Sequence, residues 1–387
     1  MKVAPSRRSF LATGLALPAI ASASPNSGSA QPQSQSQPPA LLSSGKELQH
    51  RTLGKTGLRV TTVGYGTMIT SDPSVIARAV DMGINYFDTA RNYQNGQNER
   101  MVGAALGTQR KHVFLASKSS DNPRTEPGIL AEIDTSLKEL NTDYLDVWHL
   151  HGLDNPADIT DELAEAQRKA KKQGKVRFTG VSTHNLPAIV DRVIEAKIEV
   201  VQAAYNFASA ASYKPAVEKL HQAGVGLIAM KVMAKAGGHG ARPPRPANFA
   251  SAALKWVINN PAIATAVPSM TDINQLQENF RAMSERFTDA DSKILAARLE
   301  EIGPYFCRMC GRCQGQCPRG LPVADLVRFV MYADGYGQFQ LGREHFLRMS
   351  AEHQNVRCGD CAICAVHCPN GVHVAAQLSR AQDLFGC

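Results

Sequence analysis

Eight of the nine cysteines fall into two copies of one spacing, Cys307, Cys310, Cys313 and Cys317 before Pro318, and Cys358, Cys361, Cys364 and Cys368 before Pro369. Three thiolates at such short intervals on a tight turn can each reach a different iron of one cubane, while the fourth, set apart by a longer gap and a proline, faces elsewhere. The spacing predicts two 4Fe-4S clusters. Structural zinc and disulfides are the alternatives, but zinc is usually held by two separated pairs and has no use for a third closely spaced cysteine in each run. Cys387 fits neither run and reads as a free thiol on a terminal tail.

The two runs resemble those of bacterial two-cluster ferredoxins, in which the fourth cysteine of each run serves the other cluster. The resemblance implies that Cys307, Cys310, Cys313 and Cys368 hold one cluster, and Cys358, Cys361, Cys364 and Cys317 the other. At the other end of the chain, Ser6-Arg7-Arg8-Ser9-Phe10-Leu11 sets an arginine pair before an apolar stretch reaching Ala23. This resembles a twin-arginine signal, and Gly14 and Pro18 interrupt a stretch already too short for a membrane span. Cleavage is expected after Ala21 or Ala23, giving a signal peptide over 1–23, periplasmic or other exported localisation, and passage through the twin-arginine translocase. That route carries folded proteins, as a protein loaded with clusters in the cytoplasm requires. Residues 24–47, rich in Ser, Gln, Pro and Ala, read as a disordered linker. The net charge of +8 drops on removal of Lys2, Arg7 and Arg8, and no basic block interleaved with aromatics remains, so nucleic-acid binding is not expected.

Residues 48–287 read as one α/β domain. β-rich segments occur at Val60–Gly64, Tyr86–Asp88, Val113–Ser117, Val147–Leu150, Phe178–Val181, Val200–Ala203, Gly226–Met230 and Thr265–Val267, with helical periodicity between them. Eight such units predict a (β/α)8 TIM barrel, whose catalytic groups gather at the C-terminal strand ends. Residues 288–387 are expected to form a mostly helical ferredoxin-like iron-sulfur module, with the stretch between the cysteine runs serving to pack it onto the barrel.

The polar residues at the strand ends carry the chemistry. Asp88 closes the second strand, Tyr93 follows it, Lys118 closes the third, and His151 closes the fourth. In order and position they resemble the Asp-Tyr-Lys-His tetrad of the aldo-keto reductases. Reducing a carbonyl needs a proton as well as a hydride. Tyr93 is expected to supply the proton, Lys118 to lower its pKa, Asp88 to hold Lys118, and His151 to donate a hydrogen bond to the carbonyl oxygen. His149 reads as a satisfied interior histidine.

The same resemblance implies NAD(P) contacts at Gly66, Thr67, Ser182, Thr183, Gln202, Met230, Lys231, Glu278 and Asn279. Thr183 replaces the family's Asn, and Met230-Lys231 replaces its stacking aromatic and Ser. The Lys and Arg that attract a 2'-phosphate are missing near Pro268–Gln275, so NADP selectivity is not expected. The Gly237-Gly238 loop could add a phosphate contact. The expected function is an exported oxidoreductase interconverting carbonyl and alcohol, acting on a small polar substrate such as a sugar, as Arg91, Asn92, His184 and Asn185 indicate. A hydride carries two electrons and each cluster accepts one, so a redox partner protein is a further expectation. Two other classes remain open: an electron-transfer or docking protein with a non-catalytic barrel, and clusters that only staple the C-terminus.

Overall fold

The computed structural model describes residues 48–120, 124–235 and 247–386. The arginine pair, its apolar stretch, the 24–47 linker, the Gly237-Gly238 loop and Cys387 lie outside the described residues. Lys46–Cys387 forms one compact unit.

Two short strands, β1 (His50–Thr52) and β2 (Arg59–Thr61), pair antiparallel with His50 opposite Thr61. Eight parallel strands follow: β3 (Tyr65–Gly66), β4 (Tyr86–Asp88), β5 (Phe114–Lys118), β6 (Leu145–Leu150), β7 (Val176–Thr183), β8 (Val200–Ala204), β9 (Gly226–Met230) and β10 (Thr265–Ala266). Each pairs with its neighbour in chain order. Parallel bridges from Val63 to Ala266 and from Gly66 to Ser269 bring the two edges of the sheet together. This is the expected barrel, with one correction. Val60–Gly64 was expected as the first barrel strand, but Val60 and Thr61 belong to the antiparallel hairpin, Val63 bridges Ala266, and the first barrel strand is Tyr65–Gly66, just beyond that segment.

Strands enclosed by helices are buried on both faces, and all six residues of β6 are buried. The outer helices are α1 (Pro73–Asp81), α2 (Gln97–Leu106), α3 (Glu126–Glu139), α4 (Asp161–Lys172), α5 (Leu186–Glu195), α6 (Tyr213–Ala223), α7 (Phe249–Ile258) and α8 (Ile273–Ala282). Local signals start and stop them. Asp72 caps α1 by accepting from the Ser74 N–H, with Pro73 in the first turn, and α6 ends at Gly224 with φ 79°.

The β1–β2 hairpin closes the N-terminal end of the barrel. Leu53, Leu58 and Val60 join Tyr86, Val147, Val200 and Ile228 in an apolar plug. Gly54, at φ 53°, makes the approach possible, since a Cβ there would lie 2.4 Å from the Gly226 nitrogen. The opposite end stays open for chemistry.

Helix α9 (Asp289–Ile302) begins with a reciprocal capping box between Thr288 and Asp291, and its Leu295 packs on Phe249, Ala252 and Ala253. The module continues with α10 (Val323–Val330), a π-helical turn over Met331–Gly335, α11 (Phe339–Leu347), α12 (Ala351–Asn355) and α13 (Val374–Phe385). Leu326, Val330, Phe346, Leu378 and Phe385 form its own small core. Among the described residues no helix is long and apolar enough to cross a membrane.

Candidate active site and cluster-binding module

The barrel brings the four expected tetrad residues together. Parallel register sets Asp88 on β4 beside Ala116 and Lys118 on β5 beside His149. Lys118 Nζ donates to Asp88 Oδ2 and to the Thr89 carbonyl, both at 2.7 Å, and Gln202 Nε2 donates to the same Asp88 oxygen at 3.1 Å. The Lys118 ammonium lies 4.8 Å from the centroid of the Tyr93 ring. Tyr93 leads a tight turn in which Gln94 and Asn95 take φ of 50° and 55°. Its ring meets His151 edge-on, with centroids 6.0 Å apart.

Two expectations about this site change. Burial, followed by the Asp88 charge, pushes the Tyr93 phenol well above 10. Lys118 was expected to lower it, but its charge is balanced by Asp88, and burial lowers the pKa of the amine itself. Tyr93 therefore holds its proton at rest. The second change concerns His151. Its Nδ1 lies 3.2 Å from the Ser119 carbonyl oxygen, which can only accept. Burial and the Lys118 charge push its pKa well below 6.5. A neutral ring with its proton on Nδ1 offers Nε2 as an acceptor, whereas a donor was expected.

His149 lies inside the barrel, where burial and then the Lys118 charge lower its pKa to about 3. A backbone contact at Val181 partly offsets both effects. The ring is interior, as expected.

Two cavities open at this end. A narrow one of about 60 Å³ is lined by Gly66, Asp88, Tyr93, Gln202, Met230 and Lys231, with Met68, Met233 and Ser269 nearby. Gln202 Oε1 and Asp88 Oδ1 have no hydrogen-bond partner. A spare amide oxygen beside flexible thioethers fits the amide-bearing ring of a nicotinamide. Five other residues expected as NAD(P) contacts lie outside this cavity. Thr67 is buried and donates to the Asp88 carbonyl. Ser182 Oγ accepts from the Gly152 N–H and Thr183 donates to Asp154. Glu278 and Asn279 lie on α8. None of these five lines either cavity.

The second cavity, about 450 Å³, is where the sequence was least informative. Tyr93, His151, Asn92 and His184 contribute from the barrel, and Arg328, Tyr332, His345 and Arg348 from the module. The stretch between the cysteine runs was expected to do no more than pack, yet it walls the mouth. Arg328 NH1 donates to Asp154 Oδ2 at 2.8 Å, across the seam between module and barrel. Burial alone would raise the Asp154 carboxyl, but His184 and Arg328 outweigh it and hold it well below the usual carboxylate range. The π-helical turn carries Tyr332, and such turns recur at functional sites. No motif marks these residues, because their spacing is that of any amphipathic helix.

None of the eight cysteines of the two runs is paired in a disulfide. Cys317, Cys358, Cys361 and Cys364 line one cavity of about 230 Å³. In the other set, burial pushes the Cys307 thiol up to about 12, and Cys313, Cys310 and Cys368 are its charged neighbours. The fourth cysteine of each run thus stands with the first three of the other. Among the described residues no three His, Cys, Asp or Glu side chains converge on a point that could hold a single ion. Thiols spread around a void suit a polynuclear cluster. The set containing Cys307 and Cys310 borders the barrel: Cys310 packs on the barrel core, and both thiols lie close enough to Tyr213 to raise its pKa.

Residues 70–243 match the model of the aldo/keto reductase family, and residues 306–373 that of the 4Fe-4S dicluster domain. The chain is 27% identical over 306 residues to the uncharacterized oxidoreductase YqkF of Bacillus subtilis, covering 66% of this chain and 97% of that protein. It is 26% identical over 287 residues to L-galactose dehydrogenase of Arabidopsis thaliana, covering 62% and 89%. In fold it is similar to the aldo-keto reductase AKR11C1 from Bacillus halodurans, with a TM-score of 0.55 and 22% identity over 65% of this chain and 96% of that one. The chain is an oxidoreductase acting on a carbonyl or alcohol group, similar over residues 70–243 to the aldo/keto reductases and matching a 4Fe-4S dicluster domain over residues 306–373.

Proposed function

We propose that this protein is exported by the twin-arginine route, holds two 4Fe-4S clusters on its eight paired cysteines, and interconverts a polar, sugar-like carbonyl and its alcohol with Tyr93 as acid and base. One observation carries the catalytic part: Asp88, Lys118, Tyr93 and His151 converge at a barrel mouth. The likeness to L-galactose dehydrogenase and the polar cavity wall support a sugar-like substrate.

A nicotinamide, when bound, supplies or takes the hydride, and Gln202, Met230 and Gly66 are the residues that would hold it. Tyr93 keeps its proton at rest because burial opposes the phenolate, and releases it to the carbonyl oxygen as negative charge develops there. Lys118 then steadies the phenolate from beside the ring. In the other direction the phenolate takes the proton of the alcohol. His151 Nε2 accepts a hydrogen bond from a substrate hydroxyl and so orients it. Cys307, Cys310, Cys313 and Cys368 would hold the cluster next to the barrel, and Cys317, Cys358, Cys361 and Cys364 the outer one, where Cys364 is exposed and a partner protein could exchange electrons.

The test is anaerobic purification, iron counting, mass spectrometry of any released dinucleotide, and turnover of polar aldehydes. With the clusters intact, Tyr93→Phe should lower turnover by roughly 100-fold or more. Undiminished turnover in that variant would overturn the acid-base role. A fusion reporter tests export, which should stop when Arg7 and Arg8 are both replaced by Lys.

A further inference from the structure

The larger cavity at the barrel mouth has a one-sided charge. Arg124, Lys231, Arg328 and Arg348 line it with His184 and His345, and no carboxylate is among its lining residues. Arg328 is already matched, by Asp154 at 2.8 Å and Asp325 at 2.7 Å, and Arg124 pairs with Asp158 at 3.7 Å. Lys231 is not. Its ammonium lies 4.6 Å from the centroid of the Tyr332 ring and 5.0 Å from that of Tyr336. The charged groups that act on it, Arg328, Lys118 and Lys235, are all cations. Two aromatic faces hold an ammonium in place without cancelling its charge.

Its backbone is costly as well. Lys231 sits at φ 57°, in the left-handed region, with its carbonyl fixed by Asn206 Nδ2 at 3.0 Å. A residue held there loses about 1 kcal/mol or more, and such strain clusters at functional sites. A cation shielded from water beside other cations is a second unfavourable term, and burial followed by the Arg328 charge lowers its pKa to about 7. The second term would be offset by an anion entering the cavity.

We propose that the substrate carries a fixed negative charge, a carboxylate or comparable acid group, and that Lys231 pairs with it, aided at the rim by Arg124 and Arg348. The inference rests on the acid-base role of Tyr93, which lines the same cavity, and narrows the substrate to oxo and hydroxy acids, sugar acids among them. Lys231 is thereby moved from the dinucleotide, where the sequence set it, to the substrate. A phosphate of the dinucleotide is the other anion that could meet it, and the test separates the two.

Binding of 4-carboxybenzaldehyde, benzaldehyde and ADP-ribose to the cluster-loaded full chain is measured by titration calorimetry at low salt. The carboxylated aldehyde should bind at least about tenfold more tightly than benzaldehyde. That preference should vanish in Lys231→Met and return in Lys231→Arg, which also shows that the site still folds. Equal affinity for the two aldehydes, no binding of either at millimolar concentration, or a preference unchanged in Lys231→Met overturns the inference. So does a loss confined to ADP-ribose in Lys231→Met, which would give the lysine to the dinucleotide. Tyr93→Phe distinguishes the two levels. A retained preference with lost turnover supports both, and a retained preference with undiminished turnover sinks the acid-base role while the anion site stands.

Discussion

Tyr93 and Lys118 show how one buried ion pair governs a proton. Because Asp88 balances Lys118, the phenol at rest feels burial more than the neighbouring ammonium, and its pKa lies well above 10. The protonated form, needed for reduction, is therefore populated across the ordinary range. The rate of carbonyl reduction should show no loss from Tyr93 ionisation up to about pH 10, while alcohol oxidation should rise with pH as the phenolate becomes accessible. Paired pH-rate profiles check this, and a fall in reduction near pH 7 that disappears in Tyr93→Phe would contradict it. Gly180 makes a structural prediction at the same scale. A Cβ there would lie 2.5 Å from His149 Nδ1. Gly180→Ala should destabilise the barrel by about 1–3 kcal/mol, read from denaturant unfolding, because the enclosing strands cannot move apart.

At the scale of elements, α10 and the π-helical turn after it are held to the barrel mouth by Arg328. Replacing Arg328 with Met leaves Asp154, three-quarters buried, with His184 and the Thr183 hydroxyl but without the guanidinium. The side chain of Asp154 is 26% exposed, so the loss should fall somewhat below the 3–5 kcal/mol typical of a fully buried pair, at about 2 kcal/mol. Hydrogen exchange should quicken over residues 323–336 and leave the β1–β2 hairpin unchanged. The crossed cysteine sets give a second prediction. Cys317→Ser should remove the cluster bordered by Cys358, Cys361 and Cys364, and Cys368→Ser the one beside the barrel, each lowering bound iron by about half. Iron analysis with electron paramagnetic resonance would show which cluster is lost. Loss of the same cluster in both variants would contradict the crossing.

Over the whole molecule, barrel and module form one compact unit, and the module's own apolar core is small. Removing iron with a chelator should unfold the C-terminal helices while the barrel strands persist, a two-step loss visible by circular dichroism. Much of this architecture was legible in the chain. The repeated cysteine spacing marked the thiols, since ligand intervals are local geometry. The alternation of β-rich and helical segments marked the barrel, and Asp88, Tyr93, Lys118 and His151 stood at strand ends because strand order fixes where those ends lie. What was not legible is equally physical. The tautomer of His151 depends on the Ser119 carbonyl, and the proton affinity of Tyr93 on burial that no spacing records. The β-rich segment Val60–Gly64 could not reveal that its start pairs in the hairpin and that the barrel strand begins just beyond it, at Tyr65. By itself the sequence determined the thiols, the barrel and the tetrad, each written in intervals along the chain. Only the tertiary structure decided that Arg328, Tyr332, His345 and Arg348 wall the mouth beside Lys231, because that juxtaposition comes from docking two separately patterned segments, and docking leaves no period in the residues that make it.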